Sequence, residues 1–252
     1  MRKIAFHLQK GGVGKTTLSV SAAVAMADAG KSTVLLDLDP QGNTTSWLLG
    51  DRDVQYEAAD VLFGRVEASV ALVEIRPRLS LLPTFALDGE LKAFGENQLT
   101  REPFAFVTLL ERLEALSLDV AVMDLSPGMS LLERAVIAAT DEVIIPMTPD
   151  VFALDGLEVF RDEVRKIEKA YRRTLTYRRL VINALNRSIG QHEEIYGVAK
   201  KSADYETFTI GQDPVFRKAQ AEHRPAQDVG GRDRMKTETR EELSRLALAI
   251  AV

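Results

Sequence analysis

The chain has 252 residues, of which 46% are hydrophobic and 27% are charged, and its formal net charge is −5. A chain of this length can bury one large core, and we expect a single domain over residues 1–252. It contains no cysteine, which excludes disulfides, thiol catalysis and cysteine-ligated metal clusters. No apolar run approaches the ~20 residues of a membrane span. The chain opens on a strand pattern instead of a signal peptide, so we expect a cytoplasmic protein with no membrane partner.

Strand and helix patterns alternate along the chain. Strands are predicted at 3–8, 33–38, 79–82, 119–123, 142–146, 179–183 and 207–210. Helices are predicted at 15–29, 131–139, 151–171, 192–201, 215–222 and 238–250, with short helical stretches at 58–63 and 68–73. Residues 87–117 also have a helical pattern, which is predicted to break near Gly95 and Pro103. This alternation predicts an α/β fold with a mostly parallel, twisted sheet and helices on both faces, and with ligands at the carboxyl ends of the strands.

A glycine-rich segment, KGGVGKTT, joins the first strand to the first long helix. Glycines let backbone N–H groups turn towards an anion, and the helix N-terminus adds unpaired donors and partial positive charge. Lys15 is expected to reach the β- and γ-phosphates of a nucleotide, and the Thr16 hydroxyl to ligate Mg²⁺. The usual motif has a glycine at the position of Gln9. The residues predicted to bind the nucleotide here are Gly11, Gly12, Val13, Gly14, Lys15, Thr16 and Thr17.

Aspartates follow two of the apolar strands. Asp124 ends the strand at 119–123, where a Mg²⁺-binding aspartate belongs, and it is expected to hold the ion directly or through water. Asp37 and Asp39 lie at the end of the strand at 33–38. We expect one of them to face the nucleotide and the other to be structural. His7, on the first strand, is expected to be a packed residue instead of a catalyst.

The loop with its additional lysine, Lys10, resembles that of the ParA family of P-loop ATPases, the deviant Walker A branch that also contains MinD. The segment DLDPQGNTT, from Asp37 to Thr45, resembles the same family. The resemblance implies ATP and Mg²⁺ as cofactors and an ATP-dependent homodimer in which Lys10 reaches the phosphates bound by the other subunit. It also implies that Asp39 activates the attacking water and belongs with Thr16 and Asp124 to the metal site, Asp37 being the alternative for either role.

The resemblance extends to the C-terminal third of the chain. It implies that Asn183 contacts the adenine from one side and Asp213-Pro214 from the other. It further implies non-specific DNA binding, a nucleoid-associated location, a ParB-like or other adaptor that stimulates hydrolysis, and a plasmid, chromosome or other cargo to be positioned. The residues expected to contact DNA are Arg187, Arg217 and Lys218.

Charge is distributed unevenly in a way that bears on DNA. Residues 1–160 carry 13 Lys/Arg and 23 Asp/Glu, whereas residues 161–252 carry 19 and 14. The basic C-terminal third either faces a polyanion or reflects ordinary scatter of surface charge, and composition leaves both readings open.

Several positions depart from the family pattern. Leu8 and Ser126 replace a common asparagine and a common proline, and Val215 stands where an arginine is frequent. These departures leave open which ParA-like system the chain serves. Two other functions are also kept as alternatives: a MinD-like membrane switch and an ATP-dependent amidoligase of the same superfamily. The C-terminal segment, REELSRLALAIAV, resembles a helix packed on the domain more than an amphipathic membrane anchor.

Overall fold

One eight-stranded sheet forms the centre of the molecule. The computed structural model describes residues 1–87, 89–150 and 153–251. The strands are β1 (Arg2–Phe6), β2 (Thr33–Leu38), β3 (Val73–Arg76), β4 (Leu79–Leu82), β5 (Val120–Leu125), β6 (Glu142–Met147), β7 (Thr176–Leu185) and β8 (Glu206–Gly211). Their order across the sheet is β3-β4-β2-β5-β1-β6-β7-β8, and only the β3–β4 pair at one edge is antiparallel. The predicted fold class is confirmed.

Helices cover both faces of the sheet. They are α1 (Lys15–Asp28), α2 (Asn43–Leu49), α3 (Ala58–Leu62), α4 (Ala68–Ala71), α5 (Leu91–Asn97), α6 (Ala105–Glu114), α7 (Leu131–Ala139), α8 (Ala153–Tyr171), α9 (Gly190–Lys201), α10 (Val215–Ala221) and α11 (Thr237–Ile250). One core contains residues of α1, α2, α10 and α11, and the other contains residues of α3 to α9. Because the sheet is covered on both sides, every residue of β2, β5 and β6 is buried, which explains their apolar sequences.

The structure corrects three local predictions. Residues 43–49 form a helix that no local pattern indicated, because its cap comes from Asp37 on the preceding strand. The helical stretch expected to reach Val73 ends at Ala71, and residues 73–76 form the antiparallel edge strand. Gly95 lies inside α5 instead of breaking it. A Cβ at this position would lie 3.1 Å from Leu132 Cδ1, so the glycine permits close packing of α5 on α7.

The last helix is packed on the domain, as the sequence predicts. It lies against α1 and β8 and buries Leu243, Leu246 and Ile250. In the described part of the chain, no helix combines the length and the hydropathy needed to cross a membrane.

Candidate functional site

The glycine-rich loop connects β1 to α1 at the carboxyl edge of the sheet. Gly12 and Gly14 have φ of +74° and +89°, a left-handed conformation that favours glycine. At Gly14 the space also excludes a side chain, since a Cβ would lie 2.1 Å from Asn183 Nδ2. No described side chain caps the N-terminus of α1. The first N–H groups of this helix are therefore available to an anion, as the sequence motif requires.

Lys15 lies across this loop. Its Nζ donates to the carbonyl oxygens of Lys10 at 2.9 Å and Leu8 at 3.3 Å, and the residue is 7% exposed. Burial is the largest influence on the pKa of Lys15 and lowers it, while three carboxylates oppose the shift. Those carboxylates belong to Asp39, Asp124 and Glu133. The ammonium group is thus placed between the loop and a cluster of acids.

Two buried aspartates lie side by side on neighbouring strands. Asp37 on β2 is in register with Asp124 on β5, and both residues are fully buried. Asp124 Oδ2 accepts a hydrogen bond from Thr44 Oγ1 at 2.8 Å. Its Oδ1 is buried and has no hydrogen-bond partner among the residues that the structure describes. Burial raises the pKa of Asp124 to about 6, with hydroxyls of Thr44, Thr16 and Ser19 acting against this shift.

The donors around Asp124 fit a divalent cation. Mg²⁺ prefers oxygen ligands and is usually bound by one or two carboxylates together with substrate phosphates. Asp124 Oδ1 is an unpaired buried acceptor, and the Thr16 hydroxyl is close enough to affect the pKa of that carboxyl. Thr16 and Asp124 are two of the three residues predicted to hold the metal, and the observed arrangement is compatible with that role. A metal contact by the third, Asp39, stays a prediction.

Asp37 and Asp39 have different surroundings. Asp37 Oδ2 accepts from the N–H of Thr45 at 2.8 Å and from its hydroxyl at 2.7 Å, so this carboxylate holds the first turn of α2. Burial raises the pKa of Asp37 well above its usual value, and the adjacent Asp124 adds to the shift. Asp39 is 6% exposed, accepts from the Gln41 N–H at 3.0 Å, and lines a cavity of about 580 Å³. The geometry favours Asp39 as the residue that faces a ligand and Asp37 as the structural one.

Lys10 is held by its own chain in this structure. Its Nζ contacts Asp150 Oδ1 at 2.6 Å and Oδ2 at 2.5 Å, and the lysine side chain is 27% exposed. Asp150 lies just beyond β6, the strand next to β1 in the sheet. The role of Lys10 in a second subunit is not tested by this arrangement and stays a prediction. To play that role, Lys10 would have to exchange Asp150 for another anion.

A second cavity, of about 600 Å³, lies on the other side of the loop. Its lining includes Thr17, Asn183, Asp213, Pro214, Arg217 and Lys236. Asn183 Nδ2 donates to the Val13 carbonyl oxygen at 2.9 Å, which ties this wall of the cavity to the glycine-rich loop. The Asp213 carboxylate accepts from the backbone N–H groups of Val215 and Lys236, at 3.1 and 2.9 Å. The residues expected around an adenine are therefore brought together.

The three residues expected to contact DNA differ in whether their charge is paired with a carboxylate. Arg187 lies 3.5 Å from Glu193, and its guanidinium carbon is 4.5 Å from the centroid of the Tyr196 ring. Lys218 forms ion pairs with Asp233 and, at 3.8 Å, with Glu222. Arg217 is exposed and has no ion-pair partner in residues 1–87, 89–150 and 153–251, but it lines the second cavity. DNA contact by any of them stays a prediction.

Several residues of this region are not predicted from the sequence. Thr44 and Thr45 bind the two buried aspartates, and both belong to the DLDPQGNTT segment, in which only the acids are predicted to have a role. Glu133 is 3% exposed and lies on the wall of the same cavity as Asp39. Ser130 and Glu133 form a capping box at the start of α7. The S-x-x-E spacing of such a box is visible in the sequence.

Fold and site together define a P-loop nucleotide-binding protein. The family model described as AAA domain (AAA_31) matches residues 1–177. The chain is 32% identical over 221 residues to the uncharacterized protein BBD21 of Borreliella burgdorferi, with 87% of this chain and 89% of that protein covered. It is 28% identical over 200 residues to the chromosome partitioning protein ParA of Caulobacter vibrioides, with 77% and 74% covered.

A solved structure gives the same picture of the fold. McdA of Cyanothece in complex with ATP superimposes with a TM-score of 0.81 at 20% identity, covering 99% of this chain and 96% of that one. The family model and the relatives confirm the resemblance that the loop and the DLDPQGNTT segment indicate. The chain belongs to the ParA family.

Proposed function

We propose that this chain is an ATPase of the ParA type, which binds ATP with Mg²⁺, dimerises in the ATP state, binds DNA without sequence preference and positions a cargo. One observation carries the proposal. At the carboxyl ends of β1, β2 and β5, the structure brings together a glycine-rich loop, the Lys15 ammonium, the unpaired Asp124 Oδ1 and the cavity-lining Asp39. A phosphate chain, a cation and an oriented water are what phosphoryl transfer requires.

Each group has a definite task in binding. The loop N–H groups and the N-terminus of α1 receive the phosphate oxygens. Lys15 exchanges the carbonyl oxygens of Leu8 and Lys10 for the β- and γ-phosphates, which are stronger acceptors because they are charged. Thr16 and Asp124 would hold Mg²⁺, which supplies positive charge next to the phosphates when it is bound. The cavity beside Asn183, Asp213 and Pro214 accepts the base.

Hydrolysis then depends on Asp39 and Lys10. Asp39 orients the attacking water and accepts its proton; burial, the largest influence, raises the pKa of Asp39, which suits a proton acceptor. Lys10 adds a second cation to the phosphates of a partner subunit after it leaves Asp150, so that hydrolysis is coupled to dimerisation. Sedimentation with ATP tests the coupling: a protein that stays monomeric at every concentration contradicts the dimer.

Lys15→Ala tests the site itself. Isothermal titration with ATP and Mg²⁺ should show that affinity falls by about a hundredfold, because a charge-assisted contact to the phosphates is lost. Lys201→Ala, on the exposed end of α9, is the matched control and should bind ATP like the wild type. An unchanged affinity in Lys15→Ala would contradict the proposed nucleotide site.

The alternative functions receive less support from the structure. A membrane switch of the MinD kind needs an amphipathic face free for lipid. In this chain the apolar residues Leu243, Leu246 and Ile250 of α11 are buried against the domain. An amidoligase would need a site for a second substrate. The cavity of about 580 Å³ beside Asp39 is larger than one water requires, so the ParA relatives, and not the cavities, favour the partition ATPase.

A further inference from the structure

The loop that follows Asp124 carries a hydroxyl beside the proposed water-activating carboxylate. Asp37 and Leu38 of β2 are in register with Asp124 and Leu125 of β5. Asp39 and Ser126 are therefore the first residues beyond two neighbouring parallel strands. Both line the cavity of about 580 Å³. Ser126 is also the position at which the family pattern has proline, so this hydroxyl is a feature of the present chain.

The hydroxyl of Ser126 is fixed in one orientation by Glu133. Ser126 Oγ donates to Glu133 Oε1 and accepts from the Gly128 N–H at 3.3 Å. Glu133 is in turn held by Ser130, whose N–H and hydroxyl donate to Oε2 at 2.7 and 2.6 Å. A serine hydroxyl has one donor and two lone pairs. With the proton committed to Glu133 and one lone pair to Gly128, Ser126 Oγ keeps one lone pair as an acceptor.

We propose that Ser126 Oγ and Asp39 together hold the water that attacks the γ-phosphate, with Glu133 as the positioning residue that fixes the Ser126 hydroxyl. The inference rests on the proposed ATPase function. A water attacks through an oxygen lone pair, so both its protons need acceptors that leave that lone pair directed at phosphorus. Asp39 accepts one proton and Ser126 Oγ accepts the other as a hydrogen bond.

The step balances without any further reactant. The water oxygen bonds to the γ-phosphorus, and the bond from that phosphorus to the β–γ bridging oxygen breaks with its electron pair remaining on ADP. The water proton that faces Asp39 passes to this carboxylate and then to phosphate. Ser126 neither gains nor loses a proton, because its own hydrogen stays on the bond to Glu133.

The test compares Ser126 with a serine far from the site. Ser126→Ala should lower kcat for ATP by about tenfold, the effect of one lost orienting hydrogen bond, and leave ATP affinity within about twofold. Ser126→Thr keeps the hydroxyl and should restore most of the turnover. Ser244 on α11 is exposed and donates to the Arg240 carbonyl oxygen at 2.9 Å, so Ser244→Ala should keep kcat within about twofold of wild type. Equal losses of kcat in Ser126→Ala and Ser244→Ala would overturn the proposal.

A double-mutant cycle tests the role of Glu133. Glu133→Gln should lower kcat. The double variant Ser126→Ala with Glu133→Gln should be no slower than Ser126→Ala alone, because both changes remove the same orienting contact to the water. Additive losses would contradict the positioning role.

Asp39→Ala in the same assay separates the two proposals. If the wild type shows no Asp39-dependent turnover, the ATPase proposal fails; if it does and Ser126→Ala is normal, only this inference fails.

Discussion

The amino ends and the carboxyl ends of the strands, here called the amino edge and the carboxyl edge of the sheet, differ in how their buried carboxylates are paired. At the amino edge, the fully buried Glu142 is paired with Arg2 at 2.9 Å and with Arg179, which also contacts Glu206 at 3.1 Å. At the carboxyl edge, the buried aspartates at positions 37, 39 and 124 have hydrogen bonds to hydroxyl and backbone groups. Among the described residues none of these three forms an ion pair within 4.0 Å.

The difference shows which edge serves stability and which serves a ligand. Opposite charges at the amino edge neutralise one another and tie β1, β6, β7 and β8 together, while Glu142 Oε1 and Arg2 Nε have no hydrogen-bond partner among the described residues. The carboxyl edge holds several acids near one lysine, and the pKa values of Asp37, Asp39 and Asp124 are all raised, in each case chiefly by burial. Such unrelieved charge is common where a protein gives up stability for function. A bound divalent cation would relieve it.

The largest effect on stability is expected at the amino edge. Glu142→Ala leaves Arg2 and Arg179 without their shared carboxylate and should lower the free energy of unfolding by about 3 kcal/mol. Urea denaturation measures this loss. Glu206→Ala is the control, since its side chain is 46% exposed, and it should cost less than about 1 kcal/mol. Similar losses in the two variants would show that Glu142 is not the centre of this network.

At the carboxyl edge, the main effect should be on turnover. Asp39→Ala is expected to bind ATP and to hydrolyse it about a hundredfold more slowly, because the water loses an orienting carboxylate. Asp37→Ala removes the cap of α2, so its main effect should be a lower thermal stability and not a lower turnover of the folded protein. Both are measured by steady-state ATPase assays and thermal unfolding. If Asp39→Ala kept normal turnover while folded Asp37→Ala lost it, the roles of the two aspartates would have to be exchanged.

The carboxyl edge should also make stability depend on pH through His7. The ring is fully buried, neither ring nitrogen has a hydrogen-bond partner in the described part of the chain, and burial lowers the pKa of His7 to about 3. The unfolded chain binds a proton near pH 6.5 and the folded chain does not. The stability due to neutral His7 is therefore complete above pH 6.5 and is lost as pH falls towards 3.

From pH 7 to pH 5 this linkage should remove about 2 kcal/mol of stability. Urea denaturation of the wild type and of His7→Leu at both pH values isolates it, since every other titrating group, Asp124 included, is common to the two proteins. The wild type should lose about 2 kcal/mol more than His7→Leu over this interval. Parallel pH profiles for the two proteins would contradict a neutral, buried His7.

The features that are predicted correctly from the sequence are those determined by residues close together in the chain. The glycine-rich loop and the largely apolar strands β2 and β5 are determined by neighbouring residues or by burial on both faces. The helix α2 was missed because its cap is a tertiary hydrogen bond from Asp37 to Thr45. For the same reason, no sequence pattern indicated that Lys10 pairs with Asp150, 140 residues away.

The surface charges of the C-terminal third show the same limit. Arg187, Arg217 and Lys218 are equivalent as basic residues in the sequence, but the structure gives carboxylate partners to Arg187 and Lys218. A paired cation must give up its partner before it neutralises a DNA phosphate. We therefore expect the largest single-residue effect on DNA binding at Arg217.

The smallest expected effect concerns DNA, and it compares a free cation with a paired one. With ATP present, Arg217→Ala should weaken duplex binding a few-fold and lower the slope of log affinity against log salt by about 0.9, because one phosphate contact is lost. Lys218→Ala should change the slope less, since Asp233 and Glu222 already neutralise this lysine. Interferometry at several salt concentrations measures both, in an Asp39→Ala background that keeps ATP bound.

ATP affinity must be measured on the same variants, because Arg217 lines the cavity proposed for the base. An Arg217→Ala protein that binds DNA normally and ATP weakly would make this arginine part of the nucleotide site. A larger change of slope in Lys218→Ala would mean that its ion pairs open on DNA. Absence of ATP-dependent DNA binding even at low salt would remove DNA from the proposed function while leaving the nucleotide site intact, because the phosphate loop and the C-terminal cations are separate groups of residues.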